Sequence, residues 1–316
     1  MKFKYEKNFI FFILNIKKKI RIDKILSFYL IYFNRNDILF LMKKKFLFLN
    51  NCFFKKIYIN NNYFIKIYFF DFLNKVIIFN LKKFINIIYE DDLIIIINKP
   101  VGISIHPNFM NWNNNLVNSL ISYYGNKVLF LFRFGILHRL DKNTSGIVLL
   151  FKKNNIYLNL IRQIKYNIFT KYYISLNLNN INNYIFLNKI IGYINNFYKK
   201  IYKNLNFFSI TNFFFFRYII YKNFIFFFLK SKLITGRTHQ LRTHFKYFNI
   251  PIIGDDFFLN NNIFLKKNNF LHCYNLNFFH PIKNINLNFK ISLSNDILNF
   301  LNFIFRDGGI WTLDSN

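Results

Sequence analysis

The chain has 316 residues, 53% of them hydrophobic and 22% aromatic, enough to build one large domain and one small one around real apolar cores. Its 44 Lys and Arg against 13 Asp and Glu leave a formal charge of +31, which leans towards a polyanionic partner because clustered cations release counterions when they neutralise phosphates. Lys, Asn, Ile, Phe and Tyr are over-used together, as AT-rich codon usage would produce, so charge alone carries that inference only part of the way; Cys52 and Cys273 have no neighbours at metal-ligand spacing, which argues against a disulfide scaffold and makes a reducing compartment the default.

Phe9 to Ile16 is a short apolar run behind Lys2, Lys4 and Lys7 with no small-residue cleavage site after it, and it reads as a buried strand or helix rather than a leader. Ile20 to Leu30 has helical spacing through Ile22, Ile25, Leu26 and Tyr29. Asn36 stands where it would cap a second helix from Asp37 to Lys43. Phe46 to Leu49 and Ile57 to Ile59 predict short strands, with Arg21, Arg35, Lys43, Lys44 and Lys45 supplying a basic face. From Phe72 to Ile88 the pattern weakens, and the chain divides there.

Beyond that point, Ile87 to Asn98 is two apolar runs around Glu90-Asp91-Asp92, which predicts a strand pair ended by Pro100 and Gly102. Val117 to Tyr124 predicts a helix, Ile147 to Phe151 a buried strand and Ile156 to Ile164 a second helix. Leu176 to Leu205 is Asn-rich and weakly patterned, and is expected to be a surface insertion. Ile219 to Tyr221, Ile225 to Leu229 and Ile285 to Ile291 predict further strands. Phe213 to Leu229 is strongly apolar but carries Arg217 and Lys222, and a membrane helix needs about 20 residues with few or no charges, so no membrane segment is expected. Strands dominate with helices interspersed, so the expected class is α+β rather than a regular βαβ alternation.

Three short polar segments stand out from this background. Gly135 to Gly146 (GILHRLDKNTSG) carries Arg139 and Asp141 on a loop before a strand. A bare Arg-X-Asp is ordinarily a surface ion pair; the length of the string is what makes it informative. Thr235 to His244 (TGRTHQLRTH) places Gly236 at a turn and then a helix start, where an anion can sit. His239 and His244 lack the i,i+4 spacing of a helical zinc pair, and no metal is expected. Thr170 to Leu176 is by itself an ordinary tyrosine-bearing strand.

Taken together, these segments resemble the RluA family of pseudouridine synthases. His138 to Gly146 is similar to the family's catalytic motif, Asn98-Lys99-Pro100-Val101-Gly102 with His106-Pro107 to its opening strand and loop, and Lys171 to Tyr173 to its tyrosine motif. Gly236 to His244 followed by Pro251 to Asp255 is similar to its third motif, and Leu271-His272 with His280-Pro281 to its closing segment. The likeness runs in order from about Ile87 to Leu301. Arg21 to Leu26 followed by Lys45 to Asn50 resembles an S4 RNA-binding domain, although the usual glycines are missing. The boundaries that follow are an extension over 1–19, an S4-like α/β domain over 20–70, a linker over 71–86, a pseudouridine synthase domain over 87–303 and a tail over 304–316.

The resemblance implies an enzyme that moves ribose C1′ from N1 of a uracil to C5, with no cofactor. It implies Asp141 as the catalytic carboxylate, Arg242 as the cation paired with it, Tyr173 stacked on the target uracil, and Arg139 assisting base flipping. Arg21, Lys99, His138, Thr144, Arg237, His239 and Gln240 are expected to hold RNA or shape the cleft. An S4-like front domain goes with large-subunit rRNA, which makes 23S rRNA the expected partner of a monomeric cytoplasmic enzyme. A tRNA-directed synthase, a degenerate RNA-binding or ribosome-assembly protein, and a glycosylase acting on flipped bases are the alternatives.

Overall fold

The structure, a computed structural model, describes residues 85–106, 114–180, 209–222, 224–255 and 268–311, together with short stretches between residues 3 and 68. By contacts the chain falls into two units, residues 1–82 with 107–135 and residues 83–106 with 136–316.

The first unit contains β1 (Phe3–Glu6), β2 (Phe9–Leu14), β3 (Ile20–Arg21), α1 (Ile22–Tyr29), β4 (Leu47–Leu49), β5 (Cys52–Phe53), β6 (Tyr58–Ile59) and β7 (Tyr63–Tyr68). Its strands form an antiparallel sheet in the order β1-β2-β7-β4-β5, and β3 pairs separately with β6. The apolar run after Lys7 is therefore a strand, and the expected helix at Ile20 begins two residues later. Ile38, Leu39 and Met42 are helical, whereas Asn36, Arg35 and Lys43 to Lys45 lie outside the described residues. Residues 107–135 add helix Leu116–Tyr124, where Asn115 Oδ1 accepts a hydrogen bond from Asn118 N at 3.2 Å as an N-cap.

The second unit is built on a nine-stranded sheet of β8 (Asn86–Glu90), β9 (Ile94–Lys99), β10 (Ser145–Phe151), β11 (Thr170–Asn180), β12 (Thr211–Tyr221), β13 (Phe224–Leu233), β14 (Leu271–Phe279), β15 (Asn286–Lys290) and β16 (Ile310–Trp311). The order is β16-β12-β13-β11-β14-β10-β9-β8, with β15 on the far half of β14. Every pairing is antiparallel except β10 with β14. Counting Leu116–Tyr124 as α2, the longer helices that follow among the described residues are α3 (Tyr157–Lys165), α4 (Gln240–Tyr247) and α5 (Asn295–Arg306). The class is α+β with a mainly antiparallel sheet. No helix among the described residues is long and apolar enough to cross a membrane.

The two faces of the sheet follow from strand periodicity. Tyr173, Ser231 and Phe213 are register partners and share one face. Phe213 packs there on Phe245 of α4 at 5.0 Å. Leu178, Phe226 and Ile219 share the other face, where Phe226 meets Phe300 of α5 at 5.7 Å. A ring buried in such a setting contributes about 3–5 kcal/mol against truncation to alanine. All seven residues of β10 are buried, so this strand is covered on both sides and its sequence reads as one apolar run.

Two expectations change. Leu176 to Asn180 is not insertion but the end of β11, with Leu176 buried; residues 181–208 lie outside the described set. The strands expected at Ile219 and Ile225 are halves of a hairpin over Thr211–Leu233, because Arg217 and Lys230 point outward from a strand that continues past them.

Candidate active site

The loop before β10 is held from three sides. Leu137 N donates to Leu149 O at 3.2 Å, and His138 Nε2 accepts from Leu149 N at 3.2 Å. Thr144 N donates to Asp141 O at 3.1 Å, closing the turn on which Asp141 sits. Lys142 O accepts from Gly102 N at 2.9 Å and from Lys99 Nζ at 3.2 Å. Lys99 is fully buried, and its ammonium also donates to Pro100 O and Ile103 O at 2.8 and 2.9 Å. Burial pulls its pKa down to about 7, opposed by the charge of Asp141. Lys99 thus ties the Asn-Lys-Pro turn to the residue after Asp141.

Gly146, the second residue of β10, has φ +118°, and any Cβ there would land on the backbone carbonyl of Cys273 in β14. The close parallel contact of Gly146 with Cys273 needs a residue without a side chain. The neighbouring Ser145 Oγ lies 2.8 Å from His272 Nδ1, and His272 Nε2 lies 2.9 Å from Ser292 O. A carbonyl only accepts, so Nε2 carries the proton and Ser145 donates to Nδ1. Burial holds His272 neutral with its pKa lowered to about 4.

The second polar segment supplies the cation. Gln240 is the hub of its turn: Oε1 accepts from Thr235 Oγ1 at 2.8 Å and Arg237 N at 3.1 Å, while Nε2 donates to Ile210 O and Thr211 Oγ1 at 2.9 and 2.8 Å. His239 takes a left-handed conformation as α4 begins. One turn on, Arg242 reaches Asp141 with NH1 to Oδ2 at 3.5 Å, and His239 Nε2 stands 3.8 Å from the same oxygen. Asp141 keeps 19% of its side chain exposed, whereas Arg242 keeps 7%. Arg242 is anchored from behind by Asp255, with Nε to Oδ2 at 2.7 Å and NH2 to Oδ1 at 2.6 Å. Burial disfavours the guanidinium charge, but the Asp255 hydrogen bonds and the two carboxylate charges outweigh it and raise its pKa.

Tyr173 faces the same region from β11. Burial first, then Cys273 and the charge of Asp141, push its hydroxyl well above the usual tyrosine range, so it stays protonated at neutral pH. Cys273 is in hydrogen-bonding contact with that hydroxyl and with Ile147 N, and burial pushes its thiol up to about 12.

The structure thus brings together Asp141, Arg242, His239 and Tyr173. Arg139 and Arg237 are exposed. Lys99, His138, Thr144 and Gln240, expected as RNA contacts, are buried and spend their polar groups or their volume on holding the loops. Arg21 lies in the first unit, where it makes two 3.0 Å bonds to Asp23. Sequence reasoning gave Asp255, His272 and Cys273 no role. A signal existed for Asp255, a carboxylate straight after the apolar Ile252-Ile253-Gly254. Among the described residues no three His, Cys, Asp or Glu side chains converge as a metal site.

The family model described as RNA pseudouridylate synthase matches residues 93–247. The ribosomal large subunit pseudouridine synthase D of Borreliella burgdorferi is 36% identical over 198 residues, which is 61% of this chain and 60% of that protein. The protein of the same name from Buchnera aphidicola is 30% identical over 232 residues, covering 69% of this chain and 72% of its own. An uncharacterized RNA pseudouridine synthase of Helicobacter pylori is 29% identical over 234 residues, 70% of each. Human RNA pseudouridylate synthase domain containing 4 superposes with a TM-score of 0.52 at 16% identity, over 73% of this chain and 95% of that one, a likeness of fold. The chain belongs to the RNA pseudouridylate synthase family.

Proposed function

We propose that this protein isomerises uridines of large-subunit ribosomal RNA to pseudouridine. The observation that carries the reading is a partly exposed Asp141 ion-paired with an Arg242 that Asp255 fixes from behind. The Asp141 carboxylate attacks C1′ or C6 of the target, or takes a proton from the ribose. Each route frees the N1–C1′ bond, and the C5–C1′ bond replaces it, so nothing is oxidised and no group is lost.

Tyr173, buried against Cys273 in the free protein, would stack on the flipped uracil once the site opens around it, and Arg139, exposed beside Asp141, fills the space the base leaves or grips its phosphate. With its phenol protonated, Tyr173 is suited to order a water that takes the C5 proton rather than to stand as a phenolate base. The choice of large-subunit rRNA rests on the names of the two relatives. It is tested by incubating the purified protein with unmodified 23S rRNA and, separately, with total tRNA, then mapping pseudouridines chemically. New sites in 23S rRNA alone are expected; sites in tRNA alone would reassign the substrate.

A further inference from the structure

Among the described residues, α5 meets the face of the sheet turned away from α4 at its Phe226 end. Farther along, Tyr172 is the register partner of Lys232, Phe214 of Lys230, and Arg217 of Phe228, so all project from that same face. Lys290 joins them through its pairing with Asn275, itself opposite Tyr172. The Tyr172 ring centroid lies 5.7 Å from the ammonium groups of both Lys230 and Lys232, and Lys230 is also 5.7 Å from the ring of Tyr274. These cation–π contacts hold the two charges above the sheet. Phe214 is 42% exposed, and Arg217 and Lys290 are exposed. Strands β11 to β15 contain no Asp or Glu.

We infer that this face is a second RNA-binding surface, separate from the Asp141 cleft, that takes an unpaired stretch of the substrate RNA. Codon bias explains an excess of lysine in the chain, but it does not gather four cations, a half-buried tyrosine and an exposed phenylalanine on one side of a sheet. Cations spaced between aromatic side chains are what an unpaired strand requires: phosphates meet Lys230, Lys232, Arg217 and Lys290, and an unstacked base lies on Phe214. A duplex keeps its bases stacked and could use only the charges. Such a surface lets a small enzyme hold a large RNA while the target uridine is worked on from the opposite side.

The test is binding of a short oligoadenylate to the full chain over a range of salt. This strand holds no uridine, so its binding does not depend on the pseudouridylation reading. In single strands the log–log salt slope falls by about 0.7 for each phosphate left without a cation, so Lys230→Gln with Lys232→Gln is expected to lower it by about 1.4. Phe214→Ala is expected to weaken binding by about tenfold while leaving a duplex of equal length unaffected. Single-turnover pseudouridine formation at saturating rRNA should match wild type. An unchanged slope would overturn the proposal, as would loss of the saturated rate. Should the double variant unfold at lower temperature, Arg217→Gln with Lys290→Gln, both at exposed positions, carries the same expectation and the same refutation.

Discussion

Arg242 reaches two aspartates but grips only one: its bonds to buried Asp255 are 2.7 and 2.6 Å, while its closest approach to Asp141 is 3.5 Å. The tight, two-pronged pair fixes where the guanidinium sits, and the looser pair leaves Asp141 free to move towards a substrate. Asp255 therefore positions Arg242, and Arg242 faces Asp141.

Removing Asp255 leaves a buried guanidinium without its anchor. Asp255→Ala is expected to lower the unfolding free energy by about 3–5 kcal/mol, read from urea melts, because breaking one side of a buried pair strands the other charge. A loss under about 1 kcal/mol would mean that Asp141 or water replaces the anchor without cost.

Arg242→Ala should act on chemistry more than on binding. Losing a preorganised cation beside the reacting carboxylate costs about 10²–10³ in rate. Single-turnover rates should fall on that scale while RNA affinity stays nearly constant. Equal losses in both would make Arg242 a phosphate contact.

Gly146→Ala places a methyl group on the Cys273 carbonyl at φ +118°. Backbone strain and overpacking each cost about 1–3 kcal/mol, so a loss of about 2–6 kcal/mol is expected, again by urea melts. Near-wild-type stability would show that β10 and β14 separate easily.

His272 makes stability depend on acid. Its folded pKa of about 4 lies below the ordinary 6.5, so the unfolded chain binds its proton first as pH falls. The contribution is complete above pH 6.5 and is lost between there and about pH 4, at up to about 1.4 kcal/mol per pH unit. His272→Gln should flatten that part of the curve; an unchanged slope would place the acid sensitivity elsewhere.

The polar strings around Asp141 and Arg242 were legible in the sequence because little else in this chain is Gly, Thr, His or Arg. The strand pair at Ile87 to Asn98 was legible because its apolar runs flank a charged turn. Strand β14 was not, although it joins the Tyr173 strand to the Asp141 loop: Asn275 and Asn277 interrupt its apolar pattern. Helix α5 hides behind low-propensity Asn residues, although Ile297, Phe300, Leu301 and Ile304 keep helical spacing and are buried. Lys99 read as an RNA contact because lysine is ordinarily exposed, and only the fold reveals three carbonyls around its ammonium.

The central claim is that the Asp141 carboxylate performs the chemistry. Asp141→Asn changes one atom and keeps an acceptor towards Arg242, so its RNA affinity and melting temperature should match wild type. The direct measurement is single-turnover pseudouridine formation in 23S rRNA by this variant at saturating protein. No product over many wild-type half-lives is the predicted result, and conversion at the wild-type rate would contradict it.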